Sequence, residues 1–214
     1  MVLQKLALLG REACKRLTKL SVRGWDCGPH VTRYEMYRRV GEFFSREPRF
    51  GKILSISESE GLHDLFEPSQ SEILVANYPE YNLLQLPFPD ETFDYCVSDQ
   101  VLEHVEGDPQ RAIDESFRVL KRGGWAIHTT CLMNPIHAAP NDFWRFTPEG
   151  LRYLFRAYSK IEQAEGWGNP FVHLMHVLDL RSVPIPNAPA HPLHKIATLN
   201  WTNWPVMTWI IAQK

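Results

Sequence analysis

The chain opens on an amphipathic pattern. Leu3, Leu6, Ala7, Ala13, Leu17 and Leu20 fall near helical spacing, with Lys5, Lys15, Arg16 and Lys19 among them, and that period predicts a basic helix. Gly24, Gly28 and Pro29 make 21–31 a loop, and a second helix is expected over 34–44, ending before Pro48. The period then shortens. Compact apolar runs predict strands at 52–56, 73–76, 93–98, 125–130, 161–167 and 207–212. Between them, 61–66 reads as a helical turn stopped by Pro68. Ala112, Ile113, Phe117, Val119 and Leu120 give 108–120 a helical face, with Gly123 and Gly124 as its stop. Thr147 and Pro148 open another helix, whose Leu151, Leu154 and Phe155 face inward. Strands alternating with helices from 52 to 160 argue for an α/β fold with a mostly parallel sheet covered on both faces. In such sheets ligands bind outside the carboxyl ends of the strands.

Length and charge sharpen this picture. The chain has 214 residues, 44% of them hydrophobic, enough to bury a core without metal or disulfide staples. Net charge is −2, not the strongly basic balance of a dedicated nucleic-acid binder. The charge is uneven, however: residues 1–50 hold 11 of the 23 Lys and Arg but 5 of the 25 Asp and Glu. The expected organisation is a basic helical arm at 1–50 and an acidic body at 51–214. The arm suits a lid or a homo-oligomer contact better than a membrane surface. Cys14, Cys27, Cys96 and Cys131 show neither C-x-x-C nor zinc-ligand spacing, so no metal is expected and the thiols read as free. No apolar run reaches membrane-spanning or signal-peptide length, and a cytoplasmic protein is the expectation.

Four motifs stand in register. Leu86-Pro-Phe-Pro-Asp-Glu-Thr-Phe-Asp94 leads into a strand and is followed by Val101-Leu-Glu-His-Val105. Arg118-Val-Leu-Lys-Arg-Gly-Gly124 precedes the next strand, and Pro140-Asn-Asp-Phe-Trp-Arg-Phe-Thr-Pro-Glu-Gly-Leu151 comes later. Together they resemble the class I S-adenosylmethionine-dependent methyltransferases, the large type-11 group, over roughly 50–165. Arg122 stands where that family usually has proline. The resemblance implies a Rossmann-like, doubly wound, seven-stranded sheet with the last strand antiparallel. It also implies S-adenosylmethionine held by the loops after the first, second and fourth strands of that sheet.

The cofactor side departs from the family. Where the family reads D-x-G-x-G-x-G after its first strand, this chain has Ser55, Ser57, Ser59 and Gly61 at the four key places. The acid that ends the second strand and holds the ribose falls at Asn77, and the one that meets the adenine falls at Asn82. Asparagine keeps an acceptor but loses the charge that favours a cationic cofactor. Glu58 or Glu60 either replaces that charge or is exposed loop charge. Asp99, after the fourth strand, completes the expected cofactor set.

The acceptor side is better supplied. Glu103 and His104 follow Asp99 and Gln100 by a turn, and His104 is either a general base or a packed helix-start residue. His137 lies in the loop after the fifth strand. Asp142 and Arg145 either pair with each other or border the acceptor, where Arg145 would hold an anionic group. Trp144 either stacks on a sugar or ring or belongs to the core. His173 and His176 are one helical turn apart with no acid between them, which is a poor metal set. The proline-rich stretch 184–192 reads as a flap or packing arm. The expected activity is S-adenosylmethionine-dependent O-methylation of a small hydroxylated or saccharide-like metabolite, with His104, His137 and Asp142 catalytic and Trp144 and Arg145 binding the acceptor. The alternative is a methyltransferase-like protein that binds without turnover.

Overall fold

The computed structural model of the chain describes residues 2–45, 50–57, 59–137 and 140–214, with side chains from residue 8 onward. In chain order the elements are α1 (Val2–Ser21), β1 (Cys27–His30), α2 (Val31–Phe43), β2 (Gly51–Ile56), β3 (Ser71–Ala76), β4 (Phe93–Asp99), α3 (Pro109–Val119) and β5 (Leu120–Cys131). They continue with α4 (Pro148–Leu154), β6 (Lys160–Trp167), α5 (Pro170–Val177), β7 (Pro184–Pro186), α6 (Pro192–Thr198) and β8 (Met207–Gln213).

Two compact units result: residues up to Arg38 with Trp167–Val206, and Arg39–Gly166 with Met207–Lys214. This differs from the arm and body expected from the charge distribution. Residues 39–45 go with the sheet because Phe43 and Phe44 pack in an aromatic cluster. Phe43 meets Trp125 with ring centroids 4.6 Å apart, and Phe44 meets Phe66 at 5.1 Å. Edge-on packing of this kind adds to plain area burial.

The larger unit holds a six-stranded sheet in the order β3-β2-β4-β5-β8-β6. β2 runs parallel to β3 and β4, β4 parallel to β5, and β8 antiparallel to β5 with Trp125 opposite Gln213. The α/β class and the antiparallel last strand are as expected, whereas seven strands were expected and six form this sheet among the described residues. The missing edge would lie between Ala76 and Phe93, a stretch broken by Pro79, Pro87 and Pro89. Proline lacks the N–H a ladder needs, and the stretch is too short for a crossover helix plus a strand. It forms instead a turn with a cis Tyr78–Pro79 bond and an isolated Asn82–Gln85 bridge.

One face of the sheet buries Leu54, Ile56, Cys96, Ala126 and Ile210 against Ala112, Ile113 and Val119 of α3 and Leu151 and Phe155 near α4. α3 starts where Asp108 accepts a 2.9 Å bond from the Gln110 N–H with Pro109 in the first turn. It ends at Val119, earlier than the Gly123-Gly124 stop expected, because Leu120 already enters β5. Gly124 then lies inside that strand, where a Cβ would stand 2.9 Å from the carbonyl oxygens of Asp94 and Lys121. Three of the buried polar side chains resolve one another's cost. His128 on β5 lies 2.7 Å from Ser98 Oγ through Nδ1 and 2.9 Å from Ser116 Oγ through Nε2, and burial pushes its pKa down to about 3.

In the smaller unit, β1 and β7 pair antiparallel. The stretches 21–31 and 184–192, both expected as loops, thus each contribute a short strand. Lys15 of α1 forms an ion pair with Asp179. Leu8, Leu9, Leu17 and Leu20 of that helix are exposed.

Candidate active site

The carboxyl ends of β2, β3 and β4 are laced together by two serines. Ser57 follows β2 directly. Its N–H donates to the Ala76 carbonyl at 3.0 Å, and its φ of +40° lies in the left-handed region that favours glycine. Its Oγ accepts from the Tyr78 N–H at 3.2 Å, tying this turn to the loop after β3. Ser59 is fully buried. Its hydroxyl donates to the Ile56 carbonyl and accepts from the Asp99 N–H at 2.8 Å, tying the same turn to the end of β4. Asp99 in turn accepts from the Thr129 hydroxyl on β5. Ser55 points elsewhere: it is buried and 2.7 Å from His63 Nε2.

The other expected cofactor residues are more scattered. Gly61 and Glu60 lie exposed in a 3-10 turn, Glu60–Leu65. Glu58 lies outside the described residues. Asn77 is exposed at the end of β3, and its carbonyl accepts from the Tyr81 N–H at 2.9 Å. Asn82 turns to its own loop, where Oδ1 accepts from the Leu84 N–H at 2.9 Å. It lines an open groove of about 460 Å³ with Glu80, Leu84, Gln85 and Arg111. Ser57, Ser59, Asn77 and Asp99 are therefore brought together, and Ser55 and Asn82 are not part of that cluster. The turn fits an adenosyl group in shape, because Ser57 holds the glycine conformation, and in acceptor chemistry. It lacks the family's charge.

Past β4 the chain forms a short 3-10 turn, Leu102–His104. The loop after β5 folds over it. The N–H groups of Phe143 and Trp144 both donate to the Glu103 carbonyl, at 2.8 and 3.1 Å. Glu103 itself is fully buried. Its Oε2 accepts from the Thr130 hydroxyl at 2.8 Å, while Oε1 finds no hydrogen-bond partner. Burial raises the carboxyl's pKa, opposed first by Glu103's own backbone N–H, then by the Thr130 bond and the charge of His104 and His137. The Cys131 thiol beside it is pushed up to about 12, chiefly by burial.

His104 and His137 meet edge to face, ring centroids 4.8 Å apart. His104 Nδ1 bonds the Asn141 carbonyl. His137 Nδ1 lies 3.1 Å from the Pro135 carbonyl and 3.3 Å from Asp142 Oδ2, and its Nε2 is 4.0 Å from Glu103 Oε1. Asp142 is nearly buried and grips Arg145 through both carboxylate oxygens, Oδ2 at 2.6 Å, while Oδ2 also accepts the His137 N–H at 2.9 Å. The Arg145 guanidinium holds that carboxyl well below the ordinary range. Arg145 also donates to the Trp144 and Asn134 carbonyls, at 2.7 and 3.3 Å. The pairing of Asp142 with Arg145 is thus the arrangement the chain adopts. Asp142 orients His137, and Arg145 braces the loop. Trp144 anchors its Nε1 on the Val105 carbonyl at 2.9 Å and leaves 38% of its surface exposed.

Glu103 is the residue the sequence reading set aside. An acid in the apolar run Val-Leu-Glu-His-Val is the signal that marks it, since a carboxylate is rarely fully buried unless paired.

Comparison with known proteins agrees with this fold. Residues 46–128 match the methyltransferase-domain family. Over 84 residues the chain is 44% identical to 2-methyl-6-phytyl-1,4-hydroquinone methyltransferase 1 of Oryza sativa subsp. japonica, covering 36% of this chain and 24% of that protein. Over 116 residues it is 32% identical to demethylmenaquinone methyltransferase of Symbiobacterium thermophilum, covering 51% of this chain and 40% of that protein. The chain thus spans less than half the length of these relatives. Among solved structures, a SAM-dependent methyltransferase from Archaeoglobus fulgidus superposes with a TM-score of 0.56 at 12% identity, covering 85% of this chain and 94% of that one. By the match over residues 46–128 and by its fold, the chain is similar to the S-adenosylmethionine-dependent methyltransferases.

Proposed function

We propose that the domain transfers a methyl group from S-adenosylmethionine to a hydroxyl oxygen of a small acceptor. The observation that carries this reading is the pair of imidazoles at the rim where β4 and β5 end, one ring oriented by Asp142 and the other by the Asn141 carbonyl. When bound, S-adenosylmethionine supplies an electrophilic methyl on sulfur. Ser57, Asn77 and Asp99 would hold it through hydroxyl, amide and carboxylate acceptors, with the buried Ser59 fixing the turn against the end of β4. His137 takes the acceptor's proton on Nε2, because its Nδ1 faces the Pro135 carbonyl and the Asp142 carboxylate. Trp144 offers a partly exposed ring for a sugar or aromatic face. Positioning supplies most of the rate in such a transfer.

The acceptor class is a hydroxylated or saccharide-like metabolite. The names of the plant and bacterial relatives add hydroquinones and quinones to the panel worth testing. The test is methyl transfer from isotope-labelled S-adenosylmethionine to that panel, read by mass spectrometry. The wild type labels one acceptor class, and His137→Ala cuts turnover while cofactor affinity stays nearly unchanged. A His137→Ala protein that retains full turnover overturns the assignment of the proton acceptor.

A second reading is a binding protein without turnover, favoured by one observation: the Ser57 and Ser59 hydroxyls are occupied by Tyr78, Ile56 and Asp99 backbone groups. Saturable cofactor binding with no acceptor labelled in the panel supports it.

A further inference from the structure

Glu103, His104 and His137 each present one ligand-type atom, and the three atoms lie within 4.8 Å of one another. All come from the Arg39–Gly166 part of the larger unit. Three features make this more than proximity. First, Glu103 is fully buried and its Oε1, 4.0 Å from His137 Nε2, has no hydrogen-bond partner. A buried carboxylate oxygen without a donor is costly. Second, both imidazoles have Nδ1 engaged by oxygen acceptors, which places the proton on Nδ1 and leaves Nε2 as a bare lone pair. Third, His137 Nδ1 rests against Asp142, itself fixed by Arg145. A carboxylate behind an imidazole is the arrangement that orients metal-ligating histidines.

The geometry points to a binding site for one divalent first-row transition-metal ion, held by Glu103 Oε1 and the two histidines. Two nitrogens and one carboxylate oxygen suit zinc and its neighbours, and leave open positions for water or an acceptor oxygen. Bonds of about 2.0–2.2 Å require the three ligand atoms to draw in to about 3.0–3.5 Å of one another. The buried Glu103 is fixed by Thr130, so the part-exposed imidazoles make that movement. The site is a second use of the His137 Nε2 lone pair: a bound ion blocks the proton transfer proposed above, so Zn²⁺ should inhibit that turnover, while the binding test below needs no turnover.

The test uses untagged full-length chain stripped with a chelator and dialysed. Zn²⁺ is titrated calorimetrically, and Co²⁺ by its visible absorption. One ion per chain is expected, with cobalt bands of a low-symmetry site. Glu103→Gln and His137→Ala each weaken Zn²⁺ binding by about ten-fold or more, and His176→Ala, in the smaller unit, leaves it unchanged. Far-UV circular dichroism of the metal-free variants checks the fold. If Glu103→Gln fails to fold, His137→Ala, in a part-exposed loop, carries the test. No one-to-one binding at millimolar Zn²⁺ overturns the proposal. So does a folded His137→Ala protein with wild-type affinity, or a metal-free wild type in which NMR shows a protonated His137 shared with Glu103 and no zinc response.

Discussion

Ser57→Gly combined with Asn77→Asp restores two features the family has and this chain lacks. The effect of each can be worked from its surroundings. Ser57 sits at φ +40°, a conformation that costs a residue with a Cβ about 1 kcal/mol relative to glycine. Glycine removes that strain but also removes the 3.2 Å acceptor of the Tyr78 N–H, an exposed bond worth about 0.5–1 kcal/mol. The two nearly cancel, so the melting temperature should move little. Asn77→Asp acts on the ligand. A charge-assisted bond is stronger than a neutral one by about 1 kcal/mol, which is about five-fold in affinity. Freeing the turn adds to this, and the double variant should bind S-adenosylmethionine about three- to ten-fold more tightly than the wild type. Equilibrium dialysis with labelled cofactor measures it, with a thermal melt alongside. Unchanged or weaker affinity at an unaltered melting temperature refutes the reasoning, and shows that these strand ends are rebuilt for another ligand.

Asp142→Asn removes the charge and turns one of the two oxygens that grip Arg145 into an amide donor, and should cost about 1–3 kcal/mol, discounted for Arg145's partial exposure, in urea unfolding. Turnover should fall with it, as His137 loses its orienting carboxylate. His104→Ala should lower turnover if its ring takes the proton, and lower only the melting temperature if it serves to hold the Asn141 carbonyl. His128 is buried neutral, with its pKa depressed to about 3, so its share of stability is complete above the unfolded value and is lost as pH falls. Between about pH 7 and pH 5 that loss is about 2 kcal/mol. His128→Asn should flatten the pH dependence of urea midpoints over that span, and an unchanged slope refutes the assignment. Gly124→Ala should destabilise by about 1–3 kcal/mol, because two carbonyl oxygens stand 2.9 Å from its Cβ.

Much of the fold is legible in the sequence because its strands are buried on both faces and read as continuous apolar runs. β2, β4 and β5 show this, with Ile53, Val97 and Ile127 all fully buried. β1 and β7 are invisible for the opposite reason. Each is a short, proline-bearing pair partner with no apolar period, defined by its mate far along the chain. The division into units is hidden as well, because Phe43 and Phe44 follow a basic segment yet pack with Trp125 and Phe66. At the site, the loops to search follow from the ends of the parallel strands, so His104, His137 and Asp142 are found. Their roles are not found, because roles depend on contacts. Asp142 against Arg145 is a pairing that i,i+3 spacing allows. The orphan oxygen of Glu103 beside His137 is brought about only when the loop after β5 folds over the turn after β4.

The central claim is that this domain holds S-adenosylmethionine despite a first loop of serines. Calorimetric titration of the wild-type protein with S-adenosylhomocysteine tests it most directly, because the demethylated product occupies the same loops without turnover. The account predicts saturable one-to-one binding, weakened when Asp99→Ala removes the carboxylate at the end of β4. No saturable heat from the folded protein, or binding indifferent to Asp99→Ala and to Ser59→Ala alike, contradicts it.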